Sequence, residues 1–177
     1  MRQDIDRIVC TRIYESPCGP LIIGSLGDKI CLCDWENSTH RLAVDRRLAQ
    51  TLRTVYRPYK TAANEEAVKE LDEYFAGKRR QFSVPLLFVG TEFQKSVWEK
   101  IVQVPYGKTI SYGSLAQSIG RDRAIRAVAK ACAANAIAIL APCHRIVGAE
   151  GIATGYSGGE KVKTYLLKLE QKNHVTV

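Results

Sequence analysis

The sequence predicts an α+β fold in two parts, a strand-rich first half and a helical second half. Three observations predict it. Short apolar runs around a turn dipeptide lie near the start, and capped helical patterns fill the second half. Between them the basic stretch 78–85 ends in a proline, which marks a boundary near 80–90. At 177 residues the chain has room for two compact units, placed here at 1–87 and 88–177.

The elements follow in order. Residues 21–25 and 30–35 flank Gly27-Asp28 and predict an antiparallel hairpin. Helical spacing covers 41–56 and 65–76, the second closed by Gly77. Thr91-Glu92-Phe93-Gln94 is a capping box, and Phe93, Val97, Ile101 and Val104 form an apolar stripe behind it. Pro105-Tyr106-Gly107 ends that helix. Ser111 caps a short helix over 112–119 that stops at Gly120, and Asp122 caps a third over 123–133. The run 136–141 is apolar throughout and predicts a buried strand.

Composition narrows the class. Hydrophobic residues make up 46% and charged residues 25%, an ordinary globular balance. No apolar segment is long enough for a signal peptide or membrane span, so a cytoplasmic protein is expected. Cys10, Cys18, Cys31, Cys33, Cys132 and Cys143 form no CxxC pair, which predicts a reducing compartment, no metal site and no cofactor. Cys31 and Cys33 alternate like core residues of one strand face. Of the net charge of +8, residues 1–87 carry +2 (14 basic, 12 acidic) and residues 88–177 carry +6 (12 basic, 6 acidic). A basic half suits a polyanion, although a solvated basic surface gives the same count.

The two short helices and their glycine turn suggest a helix-turn-helix. On the second of them Ile125, Val128 and Cys132 share one face, while Arg123, Arg126 and Lys130 share nearly the opposite one. Ala124, Ala127, Ala131 and Ala134 run between. Cations with no bulk beside them fit a nucleic-acid backbone, with Cys132 as a small core residue.

Pro142-Cys143-His144-Arg145 carries the chemistry. A cysteine beside a histidine offers a soft nucleophile and a proton acceptor on one turn. A free thiol, of pKa about 8.5, is only a few per cent thiolate at neutral pH. A base or a cation such as Arg145 raises that fraction, and Pro142 restricts where the sulfur points.

Together with Asn135, Pro105-Tyr106-Gly107, Ser111-Tyr112-Gly113 and Gly155-Tyr156-Ser157-Gly158-Gly159, this stretch closely resembles the methylated-DNA–protein-cysteine methyltransferases, the O6-alkylguanine-DNA alkyltransferases. The likeness runs from about Gly90 to Glu170. It implies an RNase H-like N-terminal sheet with helices and a helical C-terminal domain whose helix-turn-helix, winged-helix-like in kind, enters the minor groove. It implies Cys143 as acceptor of the alkyl group, His144 as its base through a water, Glu170 as the group orienting the imidazole, and Asn135 as the tie between helix and turn. Tyr112 would crowd the phosphate and meet the flipped base, and Arg126 would fill the duplex. Arg123, Lys130, Ala127 and Ala131 complete the expected DNA face. Tyr156, Ser157, Pro142, Arg145 and the Ile146 backbone would shape the substrate pocket.

The partner so implied is double-stranded alkylated DNA, met by a monomer with no obligate protein partner and no membrane. The implied reaction takes an alkyl group from O6-alkylguanine, with O4-alkylthymine as a second substrate. A thioether has no easy leaving group, so each molecule acts once. Ala136 and Ala141 depart from the usual pattern, in the turn after the helix and before the proline. Two rivals make other predictions. A DNA-binding regulator would not need Cys143, and a Cys-His hydrolase or redox sensor would turn over or respond reversibly.

Overall fold

The computed structural model describes residues 8–151 and 153–174. The chain divides into two compact units, 1–89 and 90–177.

The first unit is a four-stranded sheet with two helices. Strands β1 (Ile8–Ser16), β2 (Gly19–Leu26) and β3 (Lys29–Trp35) form an antiparallel meander, with Gly27 supplying a left-handed φ of 59° at the β2–β3 turn. Helix α1 (Arg41–Leu52) is shorter than its spacing predicts. Arg53 turns left-handed at φ 50°, and Val55–Pro58 becomes β4, parallel to β1 at the sheet edge. The β-branched Thr54 and Val55 with Tyr56 favour extended chain, and Pro58 cannot continue a helix. β1 itself was not foreseen from the sequence. Helix α2 (Ala62–Phe75) opens with a reciprocal cap between Thr61 and Asn64 and packs across β1, β2 and β3. Cys31 and Cys33 are buried in this core.

The second unit is mainly helical. Helix α3 (Glu92–Val102) starts with the Thr91–Gln94 capping box, as its sequence predicts. Gly90 lets Trp98 approach, since a Cβ there would lie 2.6 Å from the indole. After β5 (Ile110–Ser111), the Ser111 hydroxyl accepts the Ser114 amide and caps α4 (Tyr112–Ser118). Gly120, at φ 68°, turns the chain toward α5 (Ile125–Ala133), and α3, α4 and α5 pack on one another. Asp122 does not cap α5. The N-cap is Ala124 with no side-chain bond, because residues 121–124 form a separate turn closed by Ala124 N–H on the Arg121 carbonyl.

The run 136–141 is not a strand. Its amides fold back at short range, Leu140 onto the Ala138 carbonyl (2.8 Å) and Ala141 onto the Ile137 carbonyl (3.0 Å). A 3₁₀ turn, Cys143–Arg145, then leads into β6 (Ile146–Val147), parallel to β5. Helix α6 (Glu160–His174) closes the unit against that turn. No helix among the described residues is long and apolar enough to cross a membrane.

Candidate active site

Two tight turns aim Cys143. Ile139 takes φ 68° and the amide after it bonds to the carbonyl before it, a left-handed γ-turn. A β-branched residue in that region costs about 1–3 kcal/mol and persists only where packing enforces it; Ile139 is fully buried. At Pro142 (φ −79°, ψ 63°) the Cys143 amide reaches the Ala141 carbonyl at 2.8 Å, the inverse γ-turn. An all-apolar run can bend twice because the amides of Leu140, Ala141 and Cys143 find carbonyls within two to four residues.

Asn135, 2% exposed, ties this hairpin together. Its Oδ1 accepts the Ile137 amide (3.0 Å), and its Nδ2 donates to the Ala141 carbonyl (3.0 Å) and to Cys143 Sγ (3.2 Å). A donor on sulfur favours thiolate over thiol. Cys143 is itself buried, at 6% exposure.

Behind it lies a buried ion cluster. His144 Nε2 meets Glu170 Oε1 at 2.7 Å. Arg145 donates to the same carboxylate through Nε (2.9 Å to Oε2) and Nη2 (3.0 Å to Oε1), and Gly107 N–H adds a bond at 3.0 Å. Arg145 Nη1 also holds the Val104 carbonyl at 2.6 Å. Burial alone would raise the Glu170 pKa. The hydrogen bond from His144 and the bonds and charge of Arg145 outweigh it and hold the carboxyl at about 2. For His144, burial pushes the pKa below its ordinary value despite the Glu170 bond, and the positive Arg145 and Lys163 push the same way. The imidazole is therefore neutral. With Nε2–H donated to an ionised carboxylate, Nδ1 carries the lone pair, and it has no hydrogen-bond partner among the described residues.

Lys163 was missed by the sequence reading. It is fully buried, and its Nζ donates to the carbonyls of Ile146 (2.6 Å) and Thr154 (2.8 Å), so one ammonium holds both sides of the loop after β6. Nζ also lies over the Tyr112 ring, 5.8 Å from its centre. Burial lowers the Lys163 pKa, while the neighbouring Cys143, Cys132 and Glu160 oppose that. Tyr165 is 40% exposed, whereas Lys163, Leu166 and Glu170 are all fully buried. Their i, i+3, i+7 spacing was the available signal, hidden because two of the three are charged.

Tyr112 is half-buried, and its hydroxyl lies 3.4 Å from the Thr154 carbonyl. Burial, then the sulfurs of Cys132 and Cys143, raise its pKa to about 12, so it keeps its proton and can donate. The Tyr156 ring stands edge-on to His144 at 6.4 Å, and Ser157 is half-buried in the same loop.

Four expectations need correction. Arg145 does not wall a pocket, because it is buried in the Glu170 ion pair. Pro142 is likewise buried and acts by aiming the turn. On α5, Ala131 cannot face a ligand: it is 2% exposed and its carbonyl accepts from Trp98 Nε1 at 2.8 Å. Ile125, expected in the core, is 46% exposed, because α5 starts there rather than two residues earlier. Arg123, Arg126, Ala127 and Lys130 are exposed. No group of three or more His, Cys, Asp or Glu side chains able to hold a metal occurs among the described residues.

Residues 9–88 match the family described as 6-O-methylguanine DNA methyltransferase, ribonuclease-like domain, and residues 92–172 match its DNA binding domain. A methylated-DNA–protein-cysteine methyltransferase of Methanosarcina acetivorans is 40% identical over 162 residues, covering 89% of this chain and 96% of its own. The Mycobacterium leprae protein of the same name is 39% identical over 165 residues, with 93% and 94% covered. Among solved structures, Mycobacterium tuberculosis OGT in complex with DNA superposes with a TM-score of 0.80 at 39% identity, covering 93% of this chain and 94% of that one. The chain therefore belongs to the methylated-DNA–protein-cysteine methyltransferases.

Proposed function

We propose that this protein repairs duplex DNA by moving a methyl or longer alkyl group from O6 of guanine to Sγ of Cys143, once per molecule. The observation that supports this best is a sulfur held by Asn135 next to a neutral histidine, whose other nitrogen is fixed by an ionised, buried glutamate. Each group then has a task. His144 Nδ1 takes the thiol proton through a water. The thiolate attacks the alkyl carbon, an S–C bond forms, and the C–O6 bond breaks with its electron pair leaving on guanine. The Tyr112 hydroxyl, protonated at any neutral pH, donates to the leaving base, with Ser157 as a second donor. The target atom lies inside the duplex, so the nucleotide must flip out at a cost of a few kcal/mol.

The α4–turn–α5 unit is the helix-turn-helix that meets the minor groove. Arg123 and Lys130 contact phosphates there, Arg126 fills the gap left by the base, and Ala127 allows close approach. The Ile146 carbonyl and the loop bearing Tyr156 and Ser157 form the pocket, with O4-alkylthymine as a second substrate. The protein works as a monomer in the cytoplasm, and all six of its cysteines are free.

Incubation with a duplex carrying one O6-methylguanine should raise the intact mass by one methylene, at one per protein molecule. Peptide mapping should place it on Cys143. A methyl group on another residue, or repeated turnover, would sink the reading.

Lys163 gives a further expected result. Lys163→Met keeps most of the volume but leaves the Ile146 and Thr154 carbonyls without their donor. The loop then loses its anchor, and a misplacement of about 1 Å at a reacting group costs about 100-fold. Single-turnover transfer should slow by about that factor, and limited proteolysis should show faster cleavage near 148–155.

A further inference from the structure

The first unit carries a basic strip that the repair reaction does not use. Residues 46–64 hold five cations and no carboxylate. Arg46, Arg53, Arg57 and Lys60 are all exposed, and none is in an ion pair among the described residues. Other arginines of the same unit are paired: Arg12 with Glu65, Arg41 with Asp45, and Arg79 with Glu70 and Glu73. The strip runs along β4, the sheet's edge strand. Cations and a proline on an edge strand serve to block edge pairing, but they do not account for what lies beside them. Tyr59 is 63% exposed and borders an open groove of about 580 Å³, lined by Thr11, Arg12, Ile13, Ile22, Pro58 and Lys60. Ile13 is 56% exposed.

We infer that this strip and groove form a second nucleic-acid contact, one for a single-stranded segment. Phosphates lie along Arg53, Arg57 and Lys60, and a base enters the apolar groove against the Tyr59 ring. A duplex would answer the cations equally well but keeps its base faces stacked inside. An exposed tyrosine beside an apolar groove fits unstacked bases.

The test uses the full-length protein and a fluorescent 20-mer of deoxythymidine, with anisotropy read at several salt concentrations. To silence the other basic face, the parent is Arg123→Gln/Arg126→Gln/Lys130→Gln. Tyr59→Ala in that parent should weaken binding about tenfold. Arg53→Gln/Arg57→Gln/Lys60→Gln should lower the salt slope by about 2, at about 0.7 per phosphate contact on a single strand. All four side chains are exposed, so thermal unfolding should barely move. In the otherwise native protein, these changes should leave methyl transfer from a short duplex unchanged, which separates this site from the repair reaction. If either the tyrosine effect or the slope change fails to appear, the proposal is overturned. A slope change alone would mean a phosphate contact without base recognition.

Discussion

Cys143→Ser should reduce transfer below detection, at least about 10⁴-fold, while the protein stays folded and still binds DNA. The substitution removes the nucleophile and little else. A hydroxyl ionises far less than a thiol of pKa about 8.5, and His144 is a weak base in its buried setting. Oxygen is also a harder nucleophile, poorly matched to displacement at an sp³ carbon. The Asn135 Nδ2 donor that holds the sulfur can still donate to the serine oxygen, so the γ-turn pair at Ile139 and Pro142 should survive. Intact mass after incubation with O6-methylguanine duplex should remain that of the unmodified variant, and anisotropy should show the alkylated duplex still bound. Transfer at the native rate would place the acceptor elsewhere.

Glu170→Gln should damage activity less than Cys143→Ser but be far worse for stability. The carboxylate is fully buried and neutralises Arg145, also buried, while fixing the proton on His144 Nε2. Glutamine keeps the shape but strands the Arg145 charge, and breaking such a pair costs about 3–5 kcal/mol. With the imidazole tautomer no longer enforced, single-turnover transfer should fall about 10²- to 10³-fold. The pH dependence separates this from simple loosening. The folded Glu170 pKa, about 2, lies below its ordinary 4.5. Its contribution is therefore complete above 4.5 and disappears as pH falls toward 2, about 3 kcal/mol in all. His144, also lowered, loses stability as pH falls below 6.5. In urea titrations the stability gap between wild type and Glu170→Gln should stay level above about pH 5 and close below 4.5. A gap independent of pH down to 2.5 would contradict the ion-pair account.

Local residue chemistry made much of the molecule legible. The Thr91–Gln94 box, the Ser111 cap and the Gly27-Asp28 turn each depend on contacts within four residues, so their sequence patterns suffice. The Asp122 cap failed because a four-residue turn competed for the same stretch and won. The helix expected to reach Tyr56 stopped at Leu52 because β1 offered a ladder to Val55–Pro58, a partner more than forty residues away.

The site shows the same division. Cys143, His144 and Asn135 lie within nine residues of one another, and their types already name the chemistry. The sequence by itself determined the two-part fold, the capped helices and the thiol–imidazole pair, because each rests on short-range spacing or intrinsic reactivity. Only the tertiary structure decided that 136–141 bends twice instead of running straight, that Arg145 turns inward to Glu170, and that Lys163 holds the loop above Tyr112. The physical reason is that a buried charge is stable only against a partner, and α6 meets those partners across 9 to 26 residues.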